Sequence, residues 1–468
     1  MNLHFTRTKI LSLKVPFKIN ILFLFLLNLL ARIPFLFAGY GREEDAWGQV
    51  LTAKTTWESG IYEVSRLPGH PLYEFLLAFL WPVEHSYFFF NLLSALATSL
   101  AVVFFYWILK EWKKDNAMAL AVSFGFIPVF FIAGVYTIDY NFACLFILAS
   151  FYQLQKKNWI WAGILLGIAT GFRISSIGFA LPWILLASRK NDPSFLLKFG
   201  ISSAIISLLS FSAPLYTYGL EVLDFHKPPY SSWAKVVFKL SFGIWGLVLF
   251  SYLGLGIMKF SFSKKWKNRS SKNFKWALSI IILFQLLIFF RLPFKSEFLI
   301  PALPFILIWI GDSFSKKWVT ALPYVTLLSC FLLGFDYKND FRGSDSSVAS
   351  TEFSAGGKTI FIDLLQGPSI IDYNKRLVKM NFVSGILNWS EEQKEPCYVI
   401  SGWYWPQIKL RKTTKNNIYF DYYSSEEEII NAKSAGRKIF YLPEINDANS
   451  KIEGHYLADS LGTILIPR

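Results

Sequence analysis

Three adjacent carboxylates follow the first apolar stretch of the chain, in Tyr40-Gly41-Arg42-Glu43-Glu44-Asp45-Ala46-Trp47. Mutual repulsion and poor solvation beside a membrane raise the pKa of a carboxyl group, and a raised pKa suits a general base. The cations Arg32, Arg42 or Arg66 could instead keep such a group ionised. The plainer interpretation is a solvated acidic loop, which the spacing alone favours.

A turn that contains a histidine follows these acids. Gly60-Ile61-Tyr62 precedes Ser65-Arg66-Leu67-Pro68-Gly69-His70-Pro71-Leu72-Tyr73, and the prolines and glycine predict a fixed turn before the next apolar stretch. His70 could bind phosphate or transfer protons. A rigid turn whose histidine faces lipid headgroups explains the pattern equally well, so both interpretations stay open.

Cations between apolar stretches form the third group: Arg173, Lys227, Lys235, and Arg291 and Lys295 in Arg291-Leu292-Pro293-Phe294-Lys295-Ser296-Glu297-Phe298. Ionisable groups at membrane depth are costly and often functional. A guanidinium such as that of Arg173 could hold a lipid-linked phosphate through bidentate hydrogen bonds. The alternative is a side chain that extends to the lipid headgroups, which is favoured for Lys227 and Lys235.

Asp139, in Tyr136-Thr137-Ile138-Asp139-Tyr140-Asn141, precedes another apolar stretch. We expect it to cap the following helix rather than to take part in chemistry. The sequence contains no Walker loop, no zinc-ligand pattern and no Ser/His/Asp arrangement.

The elements that position these residues follow from composition. The 468 residues are 53% hydrophobic and 17% charged, with a mean hydropathy of +0.38, whereas soluble proteins are about 25% charged. Residues 1–335 carry 31 Lys and Arg against 15 Asp and Glu, a net +16, and residues 336–468 carry 16 against 17, a net −1. The apolar composition excludes a soluble enzyme. The charge distribution excludes a nucleic-acid binder, because the excess positive charge lies in the apolar, membrane part of the chain. Three scattered cysteines predict no disulfide framework.

Eleven apolar stretches predict an α-helical polytopic membrane protein with about 11 transmembrane helices. They lie near 19–37, 87–109, 117–136, 141–155, 159–172, 174–188, 197–217, 238–258, 276–291, 298–312 and 318–335. The first lacks a cleavage site, so we interpret it as an uncleaved helix. Loops on the amino-terminal side carry 21 Lys and Arg, against 8 on the opposite side. The positive-inside rule therefore predicts a cytoplasmic amino terminus and an extracytoplasmic tail.

Two regions on the predicted outer side are long. Residues 39–86 form a loop of the length that usually carries function. In residues 336–468 we expect a linker over 336–354, then strands at 359–364, 397–404, 417–423 and 438–442. A helix is predicted to begin at Ser425-Glu426-Glu427-Glu428 and to stop at Gly436. The pattern predicts a small C-terminal α/β domain, interpreted as accessory.

Taken in order, these segments resemble the glycosyltransferase-C superfamily, in particular protein O-mannosyltransferases and bacterial aminoarabinose or other lipid-sugar transferases. The resemblance covers about 1–335. It rests on the acidic pair Glu44-Asp45 after the first helix, Gly60-x-Tyr62 with Pro68-Gly69-His70-Pro71-Leu72, the glycine-rich stretch 162–173, and Glu297-Phe298-Leu299-Ile300-Pro301-Ala302-Leu303-Pro304. The chain departs from the family pattern by a third acid and by Phe298, where the family often has Tyr.

The resemblance implies inverting transfer of a sugar from a polyprenyl-phosphate donor to a lipid, glycan or protein acceptor on the outer membrane face. It implies Asp45 as the base, with Glu44 next, and Glu43, Arg66, His70, Arg173, Arg291, Lys295 and Glu297 as substrate-binding residues. No cofactor is required by the pattern, although some relatives use a divalent metal ion beside the acidic pair. The compact loops favour a bacterial inner membrane. The alternatives are a polytopic transporter or lipid-linked-sugar flippase and a membrane scaffold. We see neither the internal repeats nor the polar midplane groups that a transporter would need.

Overall fold

The computed structural model describes residues 17–187, 194–223, 232–261, 272–338, 347–355, 358–412, 417–442 and 463–464. The basic residues before Phe17 and the cation Lys227 lie outside the described residues. All eleven predicted apolar stretches are helical over most of their length, because each contains enough consecutive apolar residues for a buried or lipid-facing helix.

The helices that carry these stretches, with the exception of Ser212–Tyr218, contribute to one large apolar core. They are α1 (Phe17–Arg32), α4 (Tyr87–Glu111), α5 (Ala117–Gly125), α6 (Pro128–Ala133), α7 (Tyr140–Gln155), α8 (Trp159–Phe172), α9 (Ala180–Ala187), α10 (Ser194–Ser210), α11 (Ser212–Tyr218), α12 (Trp233–Leu240), α13 (Phe242–Ser261), α14 (Lys272–Arg291), α15 (Leu303–Ser313) and α16 (Lys316–Phe331). Several are short or broken. The pair α5 and α6, for example, is separated before Pro128, a residue that favours the first position of a helix.

Four helices of the described chain are long and apolar enough to cross a membrane, or five if the bent pair that begins with α10 is counted as one span. The four are Tyr87–Glu111, Phe242–Phe260, Lys272–Arg291 and Ser296–Ser313. Shorter apolar helices include Ile19–Phe35, Trp159–Phe172 and Ile174–Ala187. The chain is thus a predominantly helical, apolar bundle of the kind found in multi-pass membrane proteins.

The loop over 39–86 contains two further helices, α2 (Glu44–Ser59) and α3 (Pro71–Leu80). Glu43 is the N-cap residue of α2, and Glu44 and Asp45 lie in its first turn, where the positive end of the helix dipole stabilises negative charge. The helix ends at Gly60, whose φ of +69° suits glycine. Pro71 begins α3, so His70 is held at the entry to a helix.

The C-terminal region contains two small sheets. One is antiparallel, in the order β1-β3-β2. The other is parallel, in the order β5-β4-β6-β7, and has its own apolar core. The elements are β1 (Gly334–Lys338), β2 (Ser350–Ala355), β3 (Lys358–Asp363), α17 (Pro368–Glu392), β4 (Cys397–Ile400), α18 (Trp405–Arg411), β5 (Ile418–Asp421), α19 (Glu426–Ser434), β6 (Lys438–Tyr441) and β7 (Thr463–Ile464).

Most local predictions for this region are confirmed. The helix at Glu426 begins with a capping box in which Ser425 and Glu428 exchange hydrogen bonds. The linker predicted for 336–354 is wrong in part, because β1 and β2 occupy both of its ends and pair with β3. The 25-residue helix α17 was not predicted, since its apolar residues are interspersed with many polar ones.

Candidate active site

Lys295 joins two of the three predicted acids. Its Nζ lies 2.8 Å from Glu43 Oε2 and also pairs with Asp45 Oδ2. Arg66 completes the group, with Nη1 2.6 Å from Asp45 Oδ2. The sequence positions 43, 45, 66 and 295 are thereby brought together by the start of α2, the turn before α3 and the turn after α14. Asp45 is flanked by two cations.

The three acids have different surroundings. Burial acts to raise the pKa of Glu43, but the charges of Lys295, Arg42 and Lys239 outweigh it and hold this pKa below its usual value. Burial raises the pKa of Glu44, although a hydrogen bond from Tyr422 and the charge of Lys379 act in the opposite direction. Glu44 therefore keeps a proton to higher pH than Glu43.

Glu74 holds the turn that carries Arg66 and His70. This buried carboxylate accepts hydrogen bonds from Tyr62 Oη at 2.5 Å, Ser65 N at 2.9 Å, Ser65 Oγ at 2.6 Å and His70 N at 3.2 Å. Glu74 is not among the predicted site residues. Its place four residues after His70, inside an apolar stretch, is the signal that could have identified it.

A second charged group lies around Asp139. This fully buried carboxylate pairs with Arg173, Nη1 to Oδ2 2.6 Å, and accepts a hydrogen bond from Gln49 Nε2 at 3.2 Å. The prediction that Asp139 caps a helix is wrong. Asp139 stands at the N-cap position of α7, but its side chain makes no capping hydrogen bond because it is engaged by Arg173 and Gln49.

His70 and Arg173 meet at the same carboxylate. His70 Nδ1 lies 3.2 Å from the carbonyl oxygen of Phe172 and 3.5 Å from Asp139 Oδ2. Burial lowers the pKa of His70 to about 4, despite the opposing charge of Asp139, so the imidazole is neutral at pH 7. The Arg173 guanidinium stacks over Tyr140, 3.8 Å from the ring centroid. These contacts make Asp139 the centre that positions two predicted substrate-binding residues.

The other predicted residues lie at the edges of these groups. Glu297 is buried and accepts a hydrogen bond from Tyr136 Oη at 3.1 Å. Arg291 ends α14 with an exposed side chain. Lys235 is exposed and lies over the ring of Phe294. Among the described residues, no group of three or more His, Cys, Asp or Glu side chains is arranged to hold a metal ion.

Together, the bundle, the first loop with its two short helices and the C-terminal sheet region form a predominantly helical, apolar fold that is similar to solved structures of the glycosyltransferase-C type. Crystal structures of ArnT from Cupriavidus metallidurans, an aminoarabinose transferase, are similar to it. ArnT bound to undecaprenyl phosphate matches with a TM-score of 0.52 and 11% identity, over 92% of this chain and 90% of that chain. The apo structure matches with a TM-score of 0.55 and 9% identity, over the same shares. No protein-family model matches the sequence, and neither does any curated protein sequence. The resemblance predicted from the motifs is confirmed for the fold.

Proposed function

We propose that this chain is an integral-membrane inverting glycosyltransferase. It moves a sugar from a polyprenyl-phosphate donor to a lipid, glycan or protein acceptor. The observation that carries the proposal is Asp45, a carboxylate flanked by Lys295 and Arg66 at the start of α2, within a fold shared with ArnT over nine-tenths of both chains. One of those ArnT structures is bound to undecaprenyl phosphate, which supports a lipid-phosphate donor here.

The reaction needs a base and an electrostatic partner for the leaving phosphate. The acceptor hydroxyl oxygen attacks the anomeric carbon opposite the phosphate. The bond from that carbon to the phosphate oxygen breaks, and Asp45 takes the hydroxyl proton. Lys295 and Arg66 stabilise the negative charge of the departing polyprenyl phosphate. Binding of the phosphate draws these cations away from Asp45, which leaves its carboxylate free to act as the base.

The remaining residues have supporting roles in this proposal. Glu43 orients Lys295, and Glu44, whose pKa is raised, is the second candidate for the base. His70, Arg173 and Glu297 line the substrate site beside this group of acids and cations. Arg291 is exposed, which suits a contact with the donor phosphate as it approaches from the bilayer. The family resemblance also allows for a divalent metal ion beside Glu44 and Asp45, and this stays a prediction.

The same proposal includes the membrane topology. We propose about eleven spans, a cytoplasmic amino terminus, and a catalytic loop over 39–86 that faces outward together with residues 336–468. The support is the charge asymmetry of the loops and the contact between the C-terminal region and the first loop, where Lys379 donates to the Arg42 carbonyl at 3.1 Å. A bacterial inner membrane fits this arrangement.

Sugar transfer in purified membranes tests the proposal. The donors are undecaprenyl-phosphate-linked glucose, mannose, arabinose and aminoarabinose, and the variants are Asp45→Asn, Glu44→Gln and Glu43→Gln at matched expression. Asp115→Asn, an exposed acid outside the site, is the control. We expect transfer to collapse in Asp45→Asn and to persist in the control. Transfer that survives in Asp45→Asn moves the base to Glu44 or Glu43. Absence of transfer from every donor, with lipid-linked sugar crossing the bilayer, favours a flippase.

A further inference from the structure

Helix α17 binds the C-terminal region to the loop that carries the acids. The fully buried Arg376 donates hydrogen bonds to the carbonyl oxygens of Val135, at 3.3 Å, and Phe35, at 3.1 Å. One turn further along, Met380 packs so closely on Gly39 that a Cβ atom there would lie 2.7 Å from its sulfur. The helix is therefore seated at the end of the bundle from which residues 39–43 emerge.

An unbroken series of ion pairs runs from α17 to the proposed base. Arg376 Nε lies 3.0 Å from Asp372 Oδ2, and the other oxygen of Asp372 lies 3.6 Å from Arg42 Nη1. Arg42 Nη2 lies 3.6 Å from Glu43 Oε1, and Glu43 in turn pairs with Lys295, the partner of Asp45. The side chain of Asp372 is only 6% exposed, so solvent does not screen its charge.

A second contact reaches the same loop independently. Helix α18 packs against α2, and the Tyr422 phenol, just beyond the carboxyl end of β5, lies close enough to Glu44 for each group to affect the pKa of the other. Tyr422 is itself fixed, because its backbone N–H donates to Asp421 Oδ1 at 2.8 Å and its carbonyl accepts from Gly402 N at 2.8 Å. In parallel sheets the carboxyl ends of strands are the usual edge for functional contacts.

We infer that the C-terminal region is part of the active site, and that Asp372 is a positioning residue for the acids and cations that act on the substrate. This inference rests on the proposed function, since it assigns a role within that reaction. It replaces the interpretation of residues 336–468 as accessory. Asp372 acts through Arg42 and Glu43, which fix the ammonium of Lys295 beside Asp45.

The charges explain how the coupling works. Asp372 pairs with the buried guanidinium of Arg376 and with the partly exposed guanidinium of Arg42, and its conversion to asparagine leaves Arg42 without its acidic partner on α17. Arg42 then pairs more fully with Glu43, in competition with Lys295. The ammonium of Lys295 shifts away from Glu43 toward solvent, and a displacement of this kind lowers turnover because transfer depends on the exact placement of the reacting groups.

The test compares Asp372→Asn with Asp372→Glu in detergent-purified protein, with Glu395→Gln as a control. Glu395 pairs with Lys438 on the exposed face of the C-terminal sheet, away from this series of ion pairs. We expect Asp372→Asn to lower kcat about tenfold or more, with the donor KM within about twofold of wild type. Asp372→Glu restores most of the rate. In the background of Glu43→Gln, the further change Asp372→Asn causes little additional loss, because the two residues act as a unit.

Three results would overturn the inference: wild-type kcat in Asp372→Asn, equal effects of Asp372→Asn and Glu395→Gln, or losses that multiply in the double variant. If Asp372→Asn does not accumulate as folded protein, Lys379→Met, which removes the hydrogen bond to the Arg42 carbonyl, replaces it under the same criteria.

A readout without catalysis separates this inference from the proposed function. The rate at which an acetylating reagent modifies Lys295, followed by mass spectrometry relative to Lys54, should rise severalfold in Asp372→Asn and stay unchanged in Glu395→Gln. An unchanged Lys295 rate in Asp372→Asn overturns the coupling. If the wild-type protein transfers no sugar from any donor, the proposed function is wrong. The labelling result would still show whether Asp372 controls the position of Lys295.

Discussion

Arg173 and Asp139 form a buried ion pair with 2.6 Å between Nη1 and Oδ2. The two residues are 34 positions apart, at the end of α8 and the start of α7. The guanidinium also stacks on Tyr140, and the carboxylate receives a hydrogen bond from Gln49. The pair therefore ties two helices to α2, the helix that carries the acids.

Breaking this pair should strongly destabilise the protein. Asp139→Asn leaves the buried Arg173 charge uncompensated, and loss of one partner of a buried pair costs about 3–5 kcal/mol. Thermal unfolding of detergent-purified protein measures the effect. Glu111→Gln, which breaks the exposed pair with Lys156, is the matched control and should change the midpoint little. Equal midpoints for the two variants would contradict the structural role of the pair.

The sequence predicted the elements better than it predicted the contacts. Long apolar stretches locate helices because burial or lipid contact requires that composition locally. Asp45, Arg66 and Lys295 are predicted as site residues by the family resemblance and by their place beside apolar stretches, where charged residues are costly; the structure brings the three side chains together, and their roles stay predictions. The sequence, however, does not indicate which acid forms an ion pair with which cation.

The missed features depend on long-range packing. Asp139 occupies a helix-cap position, and only the folded chain brings Arg173 and Gln49 to it. Helix α17 lacks a simple apolar face because residues such as Asp372 and Arg376 are buried as an ion pair. A local pattern treats them as exposed, whereas their partners come from the first loop and from carbonyl groups of the bundle.

Two glycines nine residues apart should respond oppositely to alanine. Gly39 has a φ of +76°, and an added Cβ would lie 2.7 Å from Met380 Sδ and 2.8 Å from Trp47. Gly39→Ala thus combines a left-handed conformation that costs about 1–2 kcal/mol with a clash in packed surroundings. Gly48 lies within α2 and has no atom within 4 Å of an added Cβ, so Gly48→Ala should stabilise the helix by about 1 kcal/mol.

The unfolding midpoints of these two variants check the packing of α17 on the first loop. Shifts in opposite directions are expected. A midpoint in Gly39→Ala that matches wild type would mean that Met380 does not press on this position.

Acidic pH should lower the stability of the fold, in part because Glu43 becomes protonated. Its pKa in the folded state is held below the usual value of about 4.3. A depressed folded-state pKa stabilises the fold at pH values above the unfolded-state pKa, and this contribution is lost as pH falls below it toward the folded-state value. Unfolding midpoints of wild type and Glu43→Gln, measured from pH 7 down to pH 3, should therefore converge at the acidic end. Parallel curves would show that Glu43 is not the carboxylate paired with Lys295.

Lys295 should contribute far more to transfer than other cations of the same region. Lys295→Met removes the ammonium that contacts Glu43 and Asp45 and that we propose to stabilise the leaving phosphate. Loss of one such electrostatic group typically lowers kcat by about 10²–10³. Lys54→Met, on the same helix as the acids but paired only with Glu58 at 4.0 Å among the described ion pairs, is the control and should retain its rate.

Arg291→Met belongs in the same series because Arg291 lies only four residues before Lys295. Arg291 is exposed at the end of α14, where it can meet the donor phosphate as the lipid approaches, so its loss should raise the donor KM with little change in kcat. Lys295→Met should lower kcat itself, since the ammonium acts on charge that develops as the phosphate departs. Initial rates over a range of undecaprenyl-phosphate sugar concentrations separate the two effects. A kcat in Arg291→Met as low as that in Lys295→Met would place the leaving phosphate at the end of α14 rather than beside Asp45.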